Sequence, residues 1–142
     1  MGPAGGPVGE GVGPGVLLIE DDDDARLIYR TILVHAGLDV TTACDGLAGL
    51  VAASVVQPSV IVSNIELPRL DGLELLKRIK RDPRLRTIPI IALSGRAMSH
   101  DRSKLRDAGF DEVLLKPIDP RGVLAAVRRQ LAGKQQTAPT RR

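Results

Sequence analysis

Five polar residues stand at the ends of short apolar runs, where their chemistry could be combined. Glu20 and Asp21 follow VLLI, Asn64 follows VIVS, Ser94 ends IPIIALS and Lys116 follows VLL. The carboxyl ends of parallel strands meet at one edge of a sheet, and ligands of such sheets bind there. We therefore expect these five side chains to lie around one cleft.

The acidic residues after the first run predict a site for a hard cation. Crowded carboxylates repel one another and lose hydration, and a divalent cation with oxygen ligands removes that cost, which makes Mg²⁺ the obvious candidate. The alternative is that these acids only favour the positive start of the next helix. We assign Glu20 and Asp21 to the metal and Asp23 and Asp24 to the helix start.

Lys116 brings a cation to the same edge, in front of the rigid Pro117, and is suited to meet anionic oxygens. An ordinary salt bridge to the acids is the alternative. The two are compatible, because a lysine without a bound anion is expected to pair with the carboxylates. Ser94 adds a hydroxyl donor, and Gly95 leaves room for a ligand to approach.

The elements that must position these residues alternate along the chain. Apolar runs predict strands at 16–19, 40–43, 60–62, 88–93 and 113–115, and segments with helix periodicity separate them. Four runs are continuous, as is typical of parallel strands covered on both faces. The second is weaker, and we place it at an edge. The alternation predicts a doubly wound α/β sheet.

The helix patterns also predict which apolar side chains are buried and where individual helices begin and end. The first helix is expected to bury Ile28 and Ile32 and to end at Gly37, and Asp119 is the expected N-cap of the last. Residues 98–108 give the weakest apolar stripe. That segment is either a loosely held element beside the site or an ordinary short surface helix.

The chain length of 142 residues predicts one domain with tails. Residues 1–15 are rich in Gly and Pro and predict a flexible lead. Residues 16–132 are the expected domain, and 133–142 are a polar tail or the start of a linker.

Composition excludes several classes of function. Aromatic residues make up 1% of the chain, which argues against a surface that stacks on bases, and the net charge of +3 lies partly in the terminal stretch. No apolar run is long enough to span a bilayer, and no secretory signal is recognisable. Cys44 is the only cysteine, which excludes an internal disulfide and fits a reducing cytoplasm.

Four motifs in register are similar to those of a known family. The runs VLLIEDD, SNIELPRLDGLELL, IPIIALSG and VLLKPI, in this order and spacing, resemble the receiver domains of bacterial response regulators, over roughly Gly15 to Leu131. The resemblance implies a flavodoxin-like (βα)5 sandwich with a central parallel five-stranded sheet in the order 2-1-3-4-5.

The resemblance also implies roles for the strand-end residues. In that family two acids and an aspartate hold Mg²⁺, the aspartate accepts a phosphoryl group from a histidine kinase, and a Ser or Thr and a Lys contact the phosphoryl oxygens. Carried over, Glu20 and Asp21 match the acidic pair, Ser94 the hydroxyl and Lys116 the lysine. The acceptor position falls on Asn64.

Asn64 is the main departure from the family pattern. An amide oxygen is a poor nucleophile toward phosphorus and gives no stable product, so normal phosphorylation is not expected. The missing charge weakens or abolishes Mg²⁺ binding. The resemblance implies that the backbone carbonyl of Glu66 is the further metal ligand. The Glu66 side chain would repel a phosphoryl donor or supply charge to the metal. Ser63 points to the opposite face and is not a substitute acceptor.

Two explanations of Asn64 stay open. The chain is either a natural receiver that has lost phosphorylation or an active receiver with an engineered substitution. Val113 favours the first, because it stands three residues before the lysine, where the family usually has an aromatic switch residue. A flavodoxin-like binder of nucleotide or flavin is disfavoured, because no glycine-rich loop follows the first strand.

We therefore expect a cytoplasmic signalling module that is not an enzyme. Its expected partner is a histidine kinase, a phosphotransfer protein or an output domain, bound through the face of the fourth helix, fifth strand and fifth helix. A homodimer through that face is the other expected arrangement. Nucleic acid and membranes are not expected partners, and His35 and His100 are expected to be ordinary surface or helix residues.

Overall fold

The computed structural model describes residues 13–95 and 102–137, with side chains as far as Gly133. Five strands alternate with five helices along the chain, as the sequence predicts. In chain order they are β1 (Gly15–Ile19), α1 (Asp23–His35), β2 (Asp39–Ala43), α2 (Gly46–Val56), β3 (Val60–Asn64), α3 (Gly72–Arg81), β4 (Ile90–Ser94), α4 (Arg102–Ala108), β5 (Glu112–Leu115) and α5 (Pro120–Thr137).

All five strands form one parallel sheet in the order β2-β1-β3-β4-β5. The doubly wound fold and the edge position of the second strand are therefore confirmed. Every residue of β3 and β4 is buried, because helices cover both faces of the sheet. One apolar core lies under α1 and α5 and the other under α2, α3 and α4.

Helix α1 is turned by one residue from the predicted orientation. Tyr29 and Leu33 are buried in the core beside α5, whereas Ile28 is 51% exposed and Ile32 only partly buried. The prediction was wrong for Ile28, whereas Ile32 packs against the edge of the core. Both pairs have the i, i+4 spacing of a helix face, so periodicity alone cannot decide which pair packs on the sheet.

The predicted ends of helices are confirmed at α1 and α5. Gly37 has φ of 93° directly after the C-cap of α1, a conformation that glycine adopts without strain. Asp119 Oδ1 accepts a hydrogen bond of 2.8 Å from the backbone N–H of Arg121, as an N-cap does.

The expected chain boundaries need two corrections. β1 begins at Gly15, inside the predicted lead, and α5 continues to Thr137, although a polar tail was expected from Gly133. Lysine and glutamine are good helix formers, so polarity did not mark the end of the helix. Met98, His100 and the segments 1–12 and 138–142 lie outside the described residues. Of the described helices, none is both long and apolar enough to cross a membrane.

The turn between β3 and α3 holds the end of β3 tightly. Asp71 caps α3 by accepting a hydrogen bond from the Glu74 N–H, and the Gly72 N–H donates to the carbonyl of Ile65 at 2.7 Å. A Cβ atom at Gly72 would lie only 2.5 Å from the backbone oxygen of Asn64. The first turn of α3 therefore needs glycine to pack this closely against the end of β3.

Gly72→Ala is predicted to lower the free energy of unfolding by about 2 kcal/mol, because the added methyl group forces α3 away from the end of β3. Urea denaturation followed by circular dichroism measures the change. Gly133→Ala is the matched control, since a Cβ at Gly133 meets no atom within 4 Å. It should keep or raise stability, by up to about 1 kcal/mol. Equal losses in both variants would contradict the close packing inferred at Gly72.

Candidate functional site

A cleft at the carboxyl edge of the sheet gathers most of the predicted site residues. Glu20 and Asp21 follow β1, Asn64 ends β3 and Lys116 follows β5. The cleft has a volume of about 280 Å³. Its lining consists of Glu20, Asp21, Asp22, Asn64, Glu66, Leu93, Gly95 and Lys116.

The side-chain amide of Asn64 joins the two acids. Asn64 Nδ2 donates to Glu20 Oε2 at 2.6 Å and to Asp21 Oδ1 at 2.9 Å. Only the NH₂ end of an amide can stand between two carboxylates, because the carbonyl end would face two anions. Glu20 Oε2 also accepts a hydrogen bond of 3.1 Å from the backbone N–H of Asp22. One buried carboxylate oxygen thus receives two donors.

Two buried oxygens in the cleft have no hydrogen-bond donor among the described residues. They are Glu20 Oε1 and Asn64 Oδ1. Lys116 Nζ lies 3.7 Å from Glu20 Oε1, which makes an ion pair longer than a hydrogen bond. Because Glu20 is fully buried and the Lys116 side chain is about one-third exposed, the lysine covers the carboxylate from the solvent side.

Arg26, which the sequence reasoning did not single out, ties α1 to the end of β1. Its Nη1 donates to the backbone carbonyl of Glu20 at 2.9 Å, and its Nη2 pairs with Asp23 at 2.6 Å. The hydrogen bond that Arg26 donates to Asp23 raises the pKa of the Arg26 guanidinium above its ordinary value. A basic residue one turn into the helix, behind a run of acids, is the signal that could have identified it. Asp23 and Asp24 lie in the first turn of α1, as expected.

Ser94 and Glu66 differ in how they meet the cleft. Ser94 is fully buried at the end of β4 and does not itself line the cleft, and its Oγ donates to the backbone oxygen of Gly95, a lining residue, at 3.4 Å. Glu66 is exposed and lines the opening. Ser63 is buried and does not line the cleft, in agreement with the expected alternation.

The oxygen atoms of the cleft are of the type that a hard divalent cation binds, but Asn64 contributes no negative charge. Carboxylate and amide oxygens are what Mg²⁺ binds, and the donorless Glu20 Oε1 and Asn64 Oδ1 are such atoms. However, the Asn64 NH₂ group stands between the carboxylates, so the amide must turn over before its oxygen can join them. In the described part of the chain no cluster of three or more acidic, histidine or cysteine side chains is placed to hold a metal.

Comparison with known families decides what this fold and cleft represent. A family model described as the response regulator receiver domain matches residues 16–128. The chain belongs to this family. As a receiver domain it is a component of two-component signalling, and its sheet order is that of the flavodoxin-like receiver fold.

Two named proteins are similar to this chain in sequence over most of its length. The receiver domain is 36% identical over 115 residues to the DNA-binding dual master transcriptional regulator RpaA of Synechocystis, covering 81% of this chain and 48% of RpaA. It is 34% identical over 113 residues to the protein PilG of Pseudomonas aeruginosa, covering 80% of this chain and 84% of PilG. The chain therefore spans about half the length of RpaA and most of that of PilG.

A solved receiver domain is similar in fold and sequence. The receiver domain of the sensor histidine kinase PA1611 of Pseudomonas aeruginosa has a TM-score of 0.76 and 28% identity, covering 84% of this chain and 98% of that one. Its crystal structure has a magnesium ion coordinated in the active-site cleft. Receiver domains generally bind Mg²⁺ at this edge of the sheet.

Asn64→Ala is predicted to lower the free energy of unfolding by about 2 kcal/mol, because it removes two hydrogen bonds to carboxylates and leaves Glu20 and Asp21 facing each other. Ser54→Ala is the control, since it removes one side-chain hydrogen bond to a carbonyl inside α2. Chemical denaturation measures both. A loss in Asn64→Ala no greater than in the control would show that the amide does not stabilise the acidic pair.

Proposed function

We propose that Asn64 stands at the phosphoryl-acceptor position and that this receiver domain works as a protein-interaction module without phosphorylation at that residue. The observation that carries the proposal is the pair of hydrogen bonds from Asn64 Nδ2 to Glu20 and Asp21. They place an amide, and no third carboxylate, at the centre of the acidic cleft.

The chemistry of residue 64 supports this proposal. Phosphoryl transfer to a receiver needs a carboxylate oxygen that attacks phosphorus and keeps the phosphoryl group as an acyl phosphate. In Asn64 the nitrogen is held between two anions, and the amide oxygen has little nucleophilicity. Neither atom replaces the missing carboxylate oxygen.

The Asn64 amide also offsets part of the carboxylate charge that a bound metal would otherwise neutralise. When bound, Mg²⁺ in such a cleft neutralises anionic oxygens and orients them. Glu20, Asp21 and the backbone carbonyl of Glu66 are the proposed ligands, with Asn64 Oδ1 as a fourth after rotation of the amide. Since Asn64 already donates to both carboxylates and Lys116 already pairs with Glu20, we propose that the domain binds Mg²⁺ weakly and keeps its fold without it.

Lys116 and Ser94 are the proposed contacts for anionic oxygens that enter the cleft. The Lys116 ammonium lies 3.7 Å from Glu20, so a phosphoryl group would have to draw it away from that carboxylate. The Ser94 hydroxyl would have to turn from the backbone oxygen of Gly95. Both contacts favour the resting arrangement of the cleft over one that holds a phosphoryl group.

The proposed partner is a histidine kinase, a phosphotransfer protein or an output domain, bound through α4, β5 and α5. The similarity to the receiver domain of a sensor histidine kinase supports this class of partner. The described part of α4 is held by the buried Leu105 and exposes Arg102, Lys104 and Arg106, which suits an acidic partner surface. A homodimer through this face stays a prediction, as do a cytoplasmic location and the absence of nucleic-acid partners. We assign the domain no catalytic reaction of its own.

A second candidate is a phosphorylation-competent receiver in which Asn64 replaces an original aspartate. The retained geometry around residue 64 favours it: two acids, a lysine and an open cleft remain in place. The two candidates differ in what happens when the carboxylate is restored.

Labelling with acetyl phosphate and Mg²⁺ tests both candidates. The wild-type domain is expected to acquire no phosphoryl group at residue 64, as measured by intact-mass spectrometry and peptide mapping. Asn64→Ala is the matched negative control. Label mapped to residue 64 in the wild type would refute the first candidate. Mg²⁺-dependent labelling of Asn64→Asp supports a competent framework, and its absence would refute the second candidate.

The affinity for Mg²⁺ should respond to the same substitution. Calorimetric titration is expected to show that Asn64→Asp binds Mg²⁺ at least about tenfold more tightly than the wild type, because a further carboxylate then stands beside Glu20 and Asp21. Asp39→Asn, which removes an exposed carboxylate from the other end of the sheet, should leave the affinity unchanged. Equal affinities of the wild type and Asn64→Asp would contradict the proposal that the amide at residue 64 weakens Mg²⁺ binding.

A further inference from the structure

Helix α2 has an outer face without charge. The sequence from Gly46 to Ile65 contains no acidic or basic residue, and α2 itself reads GLAGLVAASVV. A helix that is apolar on all sides is usually buried on all sides. The inner side of α2 meets this expectation: Ala53 is fully buried, and a Cβ at Gly49 would lie 2.5 Å from Ile19 Cδ1.

The outer side of α2 does not meet it. Leu47, Val51 and Val55 are 37%, 63% and 77% exposed, and they repeat every four residues along one face. An apolar stripe of this kind on a protein surface marks an interaction site. Helix α1 also exposes apolar side chains, but Asp24, Arg30 and His35 interrupt its surface with polar and ionisable groups.

We propose that this stripe packs against the same stripe of a second copy of the chain, with the two α2 helices antiparallel. A twofold axis beside Val51 brings the two Val51 side chains together and sets Leu47 of each copy against Val55 of the other. Rows of residues four apart interdigitate readily between helices. The same patch serves both copies, as a twofold interface requires. This inference goes beyond the function proposed above and does not depend on residue 64.

Charge favours a second copy as the occupant. An uncharged face meets its own copy without like-charge repulsion and without burial of an unpaired ion. Antiparallel packing also sets the positive end of each helix dipole beside the negative end of the other. The last turn of α2 contains no basic residue to offset its own negative end.

Arg69 is placed to supply that missing charge to the other copy. It lies near the start of α2, 4.0 Å from the cap residue Asp45, and its side chain is mostly exposed. Because α2 is 11 residues long, an antiparallel copy places its last turn close to this end of the helix. Arg69 of one copy can then approach the terminal carbonyls of α2 in the other.

The small contact area predicts a weak, concentration-dependent dimer. One helix face buries far less than the roughly 800 Å² per partner of a standard interface. In the described residues the large exposed apolar side chains lie on α1 and α2, which favours α2 over the face of α4, β5 and α5 for self-association.

Sedimentation of the full chain over a concentration series tests the proposal. The wild type is expected to form more dimer as concentration rises, and Val51→Glu should weaken association at least about tenfold, because two carboxylates would meet at the axis. Leu27→Glu on α1 is the matched control, with 61% exposure against 63% for Val51, and should associate like the wild type. A wild type that stays monomeric throughout would overturn the proposal and leave the stripe to a different protein. Association unchanged in Val51→Glu would also overturn it and point to another face, such as α4, β5 and α5.

Cross-linking gives an answer even if Val51→Glu does not fold. The exposed Cys44 is first replaced in Cys44→Ser, and Val51→Cys or Val34→Cys is added to that background. A short bismaleimide should join two copies through Val51→Cys and leave Val34→Cys, on α1, largely monomeric. Equal cross-linking of the two variants would overturn the proposed arrangement.

Discussion

Two carboxylates cannot be held side by side at the edge of a buried sheet unless donors compensate their charge. Glu20 is fully buried, and one amide nitrogen of Asn64 donates both to it and to Asp21. A neutral group thus takes on part of what a bound cation does in a receiver cleft. It does so without adding charge, and it leaves Glu20 Oε1 to the longer ion pair with Lys116. The proposed loss of phosphorylation and the proposed weak metal binding both follow from this arrangement.

The arrangement depends on how firmly the strand ends are held. β1 and β3 pair with each other in the middle of the sheet, so Glu20 and Asn64 emerge from its most constrained part. The turn after β3 is closed by Gly72, whose missing side chain lets α3 begin directly against Asn64. Arg26 holds the backbone of Glu20 from the side of α1. These contacts hold the Asn64 amide within hydrogen-bonding distance of both carboxylates.

Much of this could be predicted from the sequence because strand ends in a parallel sheet converge. The ends of three apolar runs were enough to bring Glu20, Asp21, Asn64 and Lys116 to one edge. Side-chain direction was harder to predict. The burial of Tyr29 and Leu33 in place of Ile28 depends on packing against α5, and the orientation of the Ser94 hydroxyl depends on a local backbone contact. The spacing of residues in the sequence predicts neither of these side-chain directions. The continuation of α5 past Gly133 was also not predicted, because the residues there are polar.

The uncharged segment from Gly46 to Ile65 also matters before the domain is folded. It contains α2 and β3, and Val60, Ile61 and Val62 favour extended strands. Charged residues and prolines within such segments normally discourage strand pairing between different chains. This segment has no charged residue, and Pro58 is its one proline. In the native sheet β3 is enclosed by β1 and β4. Newly made or heat-unfolded chains lack that enclosure, so refolding competes with aggregation nucleated at this segment.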